Sequence, residues 1–167
     1  AARSEITRSR VTAKRDSHFS EEKNAEFVEF CRSTGLRRSE ITTLRGDQLI
    51  ERDGEYYIEV VGKGGRFRII TICGDVELVV RKMQEAGTGK VWEKVPSNAD
   101  IHDFRAQYAS RIYYSYARPI EKIPRKERYI CRKDKAGIVY DKAAMLEASK
   151  ALGHNRISVV GEHYLRF

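Results

Sequence analysis

Apolar residues recur along this chain first at helical spacing, then in strict alternation, then at helical spacing again. Residues 1 to 18 are polar and basic with no sustained apolar period, the pattern of a linker arriving from another domain. Ser20 is placed to cap a helix through about Ser33, with Phe27, Val28, Phe30 and Cys31 as its buried stripe and Gly35 as its stop. Residues 36 to 45 predict a second, short helix with Leu36, Ile41 and Leu44 inward and Arg37 at its beginning. From 47 to 72 the pattern becomes short alternating runs broken at Asp53-Gly54 and at Gly62-Lys63-Gly64-Gly65, which predicts a three-stranded antiparallel sheet. Residues 75 to 86 return to a helix whose Val76, Val79, Val80 and Met83 share one face, ended by Gly87.

A loop with Trp92 and Pro96 leads to a long helix over about 100 to 117, terminated by Pro119. Residues 118 to 128 form a basic connection with a second proline, Pro124, and 129 to 140 predict a hairpin around residues 133 to 137. Asp141 caps a helix with Ala144, Met145, Ala148 and Leu152 facing the core; Gly153 stops it and His154 emerges just beyond. Ser158 is placed to cap a last helix carrying Tyr164. The expected class is α+β, mainly helical, with a small antiparallel sheet and a β-hairpin insertion.

At 167 residues the chain is long enough for one well-filled core. It starts Ala1-Ala2 and stops three residues after Tyr164, as expected of a fragment whose N-terminal DNA-binding domains lie elsewhere. No apolar run reaches the roughly 18 residues of a membrane span, and no signal peptide opens the chain, so the expectation is a cytoplasmic protein. Cys31, Cys73 and Cys131 are odd in number and in no C-x-x-C pattern, which argues for reduced thiols. The charge adds more. Residues 1 to 20 carry a net +3 and residues 118 to 135 a net +5, together the whole +8 of the chain. Positive charge so concentrated is the footprint of a polyanion partner, because each lysine or arginine on a phosphate releases condensed counterions.

Candidate chemistry lies in four places. Arg37 follows a glycine turn at a helix start, where a guanidinium fork and the helix N-terminus can both serve a phosphate; taken alone it reads as a surface arginine paired with Glu40 or another acid. Lys63 stands at the tip of a glycine-rich hairpin, which lacks the G-x-x-x-x-G-K-[ST] order of a nucleotide-binding loop. His102 and Arg105, at i and i+3, project from one side of the long helix. His154 follows the Leu-Gly turn, and Tyr164 comes ten residues later. His102, His154 and His163 have no metal-ligand spacing, so no metal is expected.

In order, TGLRRSEI, a GKGGRFR hairpin, HDFR on a helix, and LGH followed by tyrosine resemble the catalytic domain of tyrosine recombinases, the phage and transposon integrases and the Xer-type resolvases. The resemblance spans about residues 19 to 167. It implies a recombinase catalytic domain in which Arg37 is the first catalytic arginine, Lys63 the hairpin lysine, His102 and Arg105 the H-x-x-R pair, His154 the histidine of the Leu-Gly-His turn and Tyr164 the nucleophile. The activity implied is site-specific DNA cleavage and rejoining through a 3′-phosphotyrosyl link, with double-stranded DNA as partner and no cofactor. The family synapses two duplexes with four subunits, whereas an isolated fragment can stand as a monomer. Lys14, Arg15, Arg66, Arg125, Lys126 and Arg128 are the expected DNA contacts, and the hairpin insertion within 118 to 140 resembles that of some transposon integrases. Three positions depart from the family: Tyr164 falls one residue later after His154 than in many relatives, with His163 in the usual slot. Ala106 replaces a second histidine, and Arg66 replaces a lysine. A non-catalytic DNA-binding module with this fold is the alternative from another class.

Overall fold

The computed structural model describes residues 19–131 and 135–154, the side chain of Lys63 excepted. Among these residues lie five α-helices, one three-stranded antiparallel sheet and one two-stranded antiparallel sheet, an α+β arrangement. Helix α1 (Ala25–Thr34) buries Phe27, Val28, Phe30 and Cys31. Its N-cap is Asn24; Ser20 caps the turn before it, its Oγ accepting from the Lys23 N–H at 3.2 Å. Gly35 closes the helix at φ 63°, donating its N–H to the Cys31 carbonyl. Only glycine fits: a left-handed φ disfavours a side chain, and the ring of Tyr108 fills the place where a Cβ would stand.

Arg37 is extended, so the expected helix over 36 to 45 contracts to α2 (Arg38–Thr43). Leu36 is fully buried in the turn ahead of it, alongside Ile41 and Leu44. Strands β1 (Leu49–Arg52), β2 (Glu55–Val61) and β3 (Phe67–Thr71) pair in the order 1-2-3. Asp53 and Gly54, both at positive φ, form the first turn, the backbone shape a two-residue hairpin requires. In the β2–β3 register Ile58 faces Ile70 and Val60 faces Arg68. Ile58, Val60 and Ile70 are buried, so alternation turns Arg68 inward with them, while Val61, Phe67 and Ile69 stay exposed.

Helix α3 (Val76–Ala86) begins where the Asp75 carboxylate accepts from the Leu78 N–H at 3.1 Å. Val76, expected inward, is exposed: it sits in the first turn and lines an open cleft between α1 and α3. Leu78 is buried with Val79, Val80 and Met83. Helix α4 (Ile101–Tyr116) runs through the centre, against α1 and, later in the chain, α5 (Lys142–Leu152). The Tyr108 hydroxyl donates to the Thr71 carbonyl at 2.6 Å, fixing α4 to β3.

Between α4 and α5 the connection makes two single turns, each behind a proline, and then the hairpin of β4 (Arg128–Ile130) and β5 (Val139–Asp141). Asp141 does two things there. It caps α5 by accepting from the Ala143 N–H at 3.1 Å, and its buried carboxylate holds the Arg118 guanidinium at 2.9 Å. The guanidinium beside it holds the Asp141 carboxyl down at about 2. Part of the basic charge read as free for a polyanion is thus internal: Arg118 also binds Glu127, and Arg128 donates to the carbonyls of Ile120 and Ile123. No helix among the described residues is long and apolar enough to cross a membrane.

Candidate functional site

Four segments distant in sequence end at one place. The glycine turn at 35 delivers Arg37 as the N-cap of α2, and the Glu40 side chain, three residues on, accepts the Arg37 backbone N–H at 2.8 Å. This carboxylate is 5% exposed and lies 3.5 Å from Arg37 Nη1. It also takes both terminal nitrogens of Arg68, the Nη2 contact being 3.1 Å, so one carboxylate holds two guanidiniums. Charge-assisted bidentate pairs are the most directional that proteins make.

Arg105 comes from the first half of α4, where the Asp100 carboxylate caps the helix by accepting from the Asp103 N–H. The start of α4 is tied to α2 by Arg38, which donates to the carbonyls of Pro96 and Ala99 at 2.9 and 2.6 Å. Arg105 is buried, and its Nε and Nη2 donate to the carbonyls of Gly35 and Leu152 at 2.9 and 2.6 Å. Those carbonyls stand at the C-terminal ends of α1 and α5, where helix groups lack intrahelical partners and carry negative partial charge. One guanidinium thus joins the turn that carries Arg37 to the turn that carries His154.

The second turn is equally constrained. Gly153 adopts φ 82° and ends α5; a Cβ on it would come within 3.1 Å of Arg68 Nε and 3.3 Å of Arg37 Nη2. The Leu152-Gly153-His154 turn therefore rests directly on the arginine pair. Burial lowers the His154 pKa to about 4, with the positive charges of Arg105, Arg37 and Arg68, and then His102, pushing the same way. Neutral at pH 7, its imidazole can donate one hydrogen bond without adding charge. The hairpin expected to carry Lys63 starts here too: a Cβ at Gly62 would lie 3.6 Å from Arg68 Nη1 and 3.9 Å from Arg37 Nη1. The backbone of residues 63 to 65 forms a single turn closed by the Gly62 N–H on the Arg66 carbonyl.

Of the sequence-expected site residues, Arg37, Arg105 and the turn of His154 are therefore brought together, with His102 close enough to act on the His154 charge and the Lys63 backbone in the adjoining hairpin. The Lys63 side chain and Tyr164 lie outside the described residues, as do Lys14, Arg15, Ser158 and His163. Arg66, Arg125 and Lys126 are exposed, and Arg128 is half-buried within the connection. Among the described residues no group of three or more histidine, cysteine, aspartate or glutamate side chains could hold a metal ion.

Two members of the site escaped the sequence. Arg68 carries no motif of its own beside Arg66, although its alternation with buried Ile70 is a sign that it faces inward. Glu40 was visible only as a pairing partner of Arg37. Its sharing between two arginines depends on a register that no local pattern discloses. Comparison of the chain with protein-family models, with curated proteins and with solved structures returned no match.

Proposed function

We propose that this chain is the catalytic domain of a tyrosine-type site-specific DNA recombinase, an integrase of a phage or transposon. The observation that supports this most is the charge of the site: Arg37 and Arg68 share the carboxylate of Glu40, and both, with Arg105 and His102, act on His154 as positive charges or neighbours. A half-buried cluster with excess positive charge favours an anion, and a phosphodiester in transition develops negative charge on its nonbridging oxygens. The basic residues Arg125 and Lys126, exposed on the connection, suit a duplex continuing past the site.

In this reading the Tyr164 oxygen attacks phosphorus and the bond to the 5′ oxygen breaks. A 3′-phosphotyrosyl link forms as the phenol releases its proton to solvent water, while Lys63 gives the departing oxygen a proton and takes one back from solvent. The proton count is unchanged and the link conserves the energy of the diester. A 5′-hydroxyl of another strand can then reverse the step and exchange strands. An Xer-type resolvase would share this chemistry; four copies would assemble on two duplexes.

The test is covalent capture from a pool of nicked duplexes of random sequence, which needs no knowledge of the target. The expected result is a detergent-resistant protein–DNA adduct that survives a metal chelator and disappears in Tyr164→Phe while duplex binding persists. An adduct retained by Tyr164→Phe, or binding with no adduct from any sequence, sinks the recombinase reading; the second outcome leaves a DNA-binding module.

A further inference from the structure

From the contacts of β3 we infer that Arg68 is a positioning residue for the proposed phosphate site, acting through Glu40 on Arg37 and through Gly153 on the turn that presents His154. The inference rests on the proposed function and deepens it by naming what holds the phosphate-binding guanidinium in place.

Three observations carry it. The first is the fork: Arg68 engages both oxygens of Glu40, leaving that carboxylate little freedom to rotate away from Arg37, whose backbone N–H and Nη1 it also holds. A guanidinium on a long flexible stem, 28% exposed at Arg37, would otherwise sample many rotamers. The second is where Arg68 is anchored. It enters from an inward position of a strand, opposite Val60, with buried Ile70 two residues on; its side chain is only 14% exposed. The support is as rigid as the sheet. The third is the contact with Gly153: the Arg68 Cδ and Nε lie 3.2 and 3.1 Å from where a Cβ would be, so the arginine stem forms the floor under the turn before His154.

Arg68 thus ties β3, the start of α2 and the end of α5 together at the point where the hairpin of Lys63 begins. Both of its terminal nitrogens are committed to Glu40. Its contribution to catalysis is therefore geometric, and Arg37 is the group left to meet the phosphate.

A double-mutant cycle tests this. Four proteins are compared: the unaltered chain, Arg68→Met, Arg37→Ala and the double variant, each checked for a folded state by circular dichroism. The measure is the rate of covalent capture of the duplex selected above. Arg37→Ala should lose roughly 100-fold or more, as removal of one transition-state donor does. Arg68→Met should lose about 10- to 100-fold, as loss of a supporting partner does. Because part of the action of Arg68 runs through Arg37, the double variant should lose less than the product of the two single losses, by about 3-fold or more. Fully multiplied losses overturn the inference. Arg68→Lys keeps the charge and loses the fork, and it serves if the methionine variant does not fold. It should be as impaired as the methionine variant within about 3-fold, and near-complete rescue by lysine would reduce Arg68 to a source of charge and overturn the claim.

If the unaltered chain captures no DNA, the proposed function has failed on its own. The same four proteins are then compared for affinity toward inorganic phosphate. Non-multiplied losses there uphold the positioning role, and multiplied losses, or no phosphate binding by the unaltered chain, reject it.

Discussion

Replacing Glu40 by glutamine tests the idea that one carboxylate holds two guanidiniums. Glutamine has the same shape and keeps one carbonyl oxygen for the Arg37 N–H, but it removes the negative charge between two guanidiniums. Breaking a buried ion pair from one side costs about 3 to 5 kcal/mol, because the remaining charge is left uncompensated. The arginine side chains here are 28% and 14% exposed and can be partly rehydrated, which points to the low end, about 3 kcal/mol. For a chain of this size that lowers the melting temperature by about 6 to 12 °C. Scanning calorimetry in a phosphate-free buffer measures it. Added inorganic phosphate should then raise the melting temperature of the variant more than that of the unaltered chain, since a bound anion replaces the lost charge. A loss below about 2 °C, or equal phosphate shifts in both proteins, would mean that Glu40 does not carry the charge between the two guanidiniums.

Two other outcomes follow from the same geometry. Gly35→Ala should cost about 3 kcal/mol in urea denaturation, combining the strain of a left-handed residue with a collision against the Tyr108 ring; a cost under about 1 kcal/mol would contradict the packing described. His154 is held at about 4 in the folded chain, below its ordinary value, so between those values the unfolded state binds more protons. Stability should therefore fall as pH drops from about 6.5 toward 4, and His154→Asn should flatten that segment in a pH series of melting temperatures. Asp141, held down at about 2, adds its loss lower, as pH passes below the ordinary aspartate range.

The helices were legible because their apolar faces repeat at helical spacing, as Phe27, Phe30 and Cys31 show, and because glycines stand where left-handed caps are needed, at 35 and 153. The antiparallel sheet was legible from Asp53-Gly54 and the alternation around it. What escaped was cooperative. That Arg68 faces inward depends on its register opposite Val60, and that Glu40 serves two arginines depends on how β3 meets α2. Composition also overstated the charge open to a polyanion, since Arg118 is spent on Asp141 and Glu127. The start of α1 was misplaced by a few residues because Ser20 satisfies a turn before the helix.

The proposed phosphate site is built jointly by the turns at 35 and 153 and strand β3. Titration of the isotope-labelled chain with inorganic phosphate at pH 7, followed by nuclear magnetic resonance of arginine Nε groups, glycine amides and the His154 ring, tests it most directly. Saturable shifts centred on Arg37, Arg68, Arg105, Gly153 and His154 are expected, with the His154 pKa rising from about 4 as the anion offsets the arginine charge. Shifts confined to exposed Arg125 and Lys126, with the His154 pKa unmoved, would contradict it.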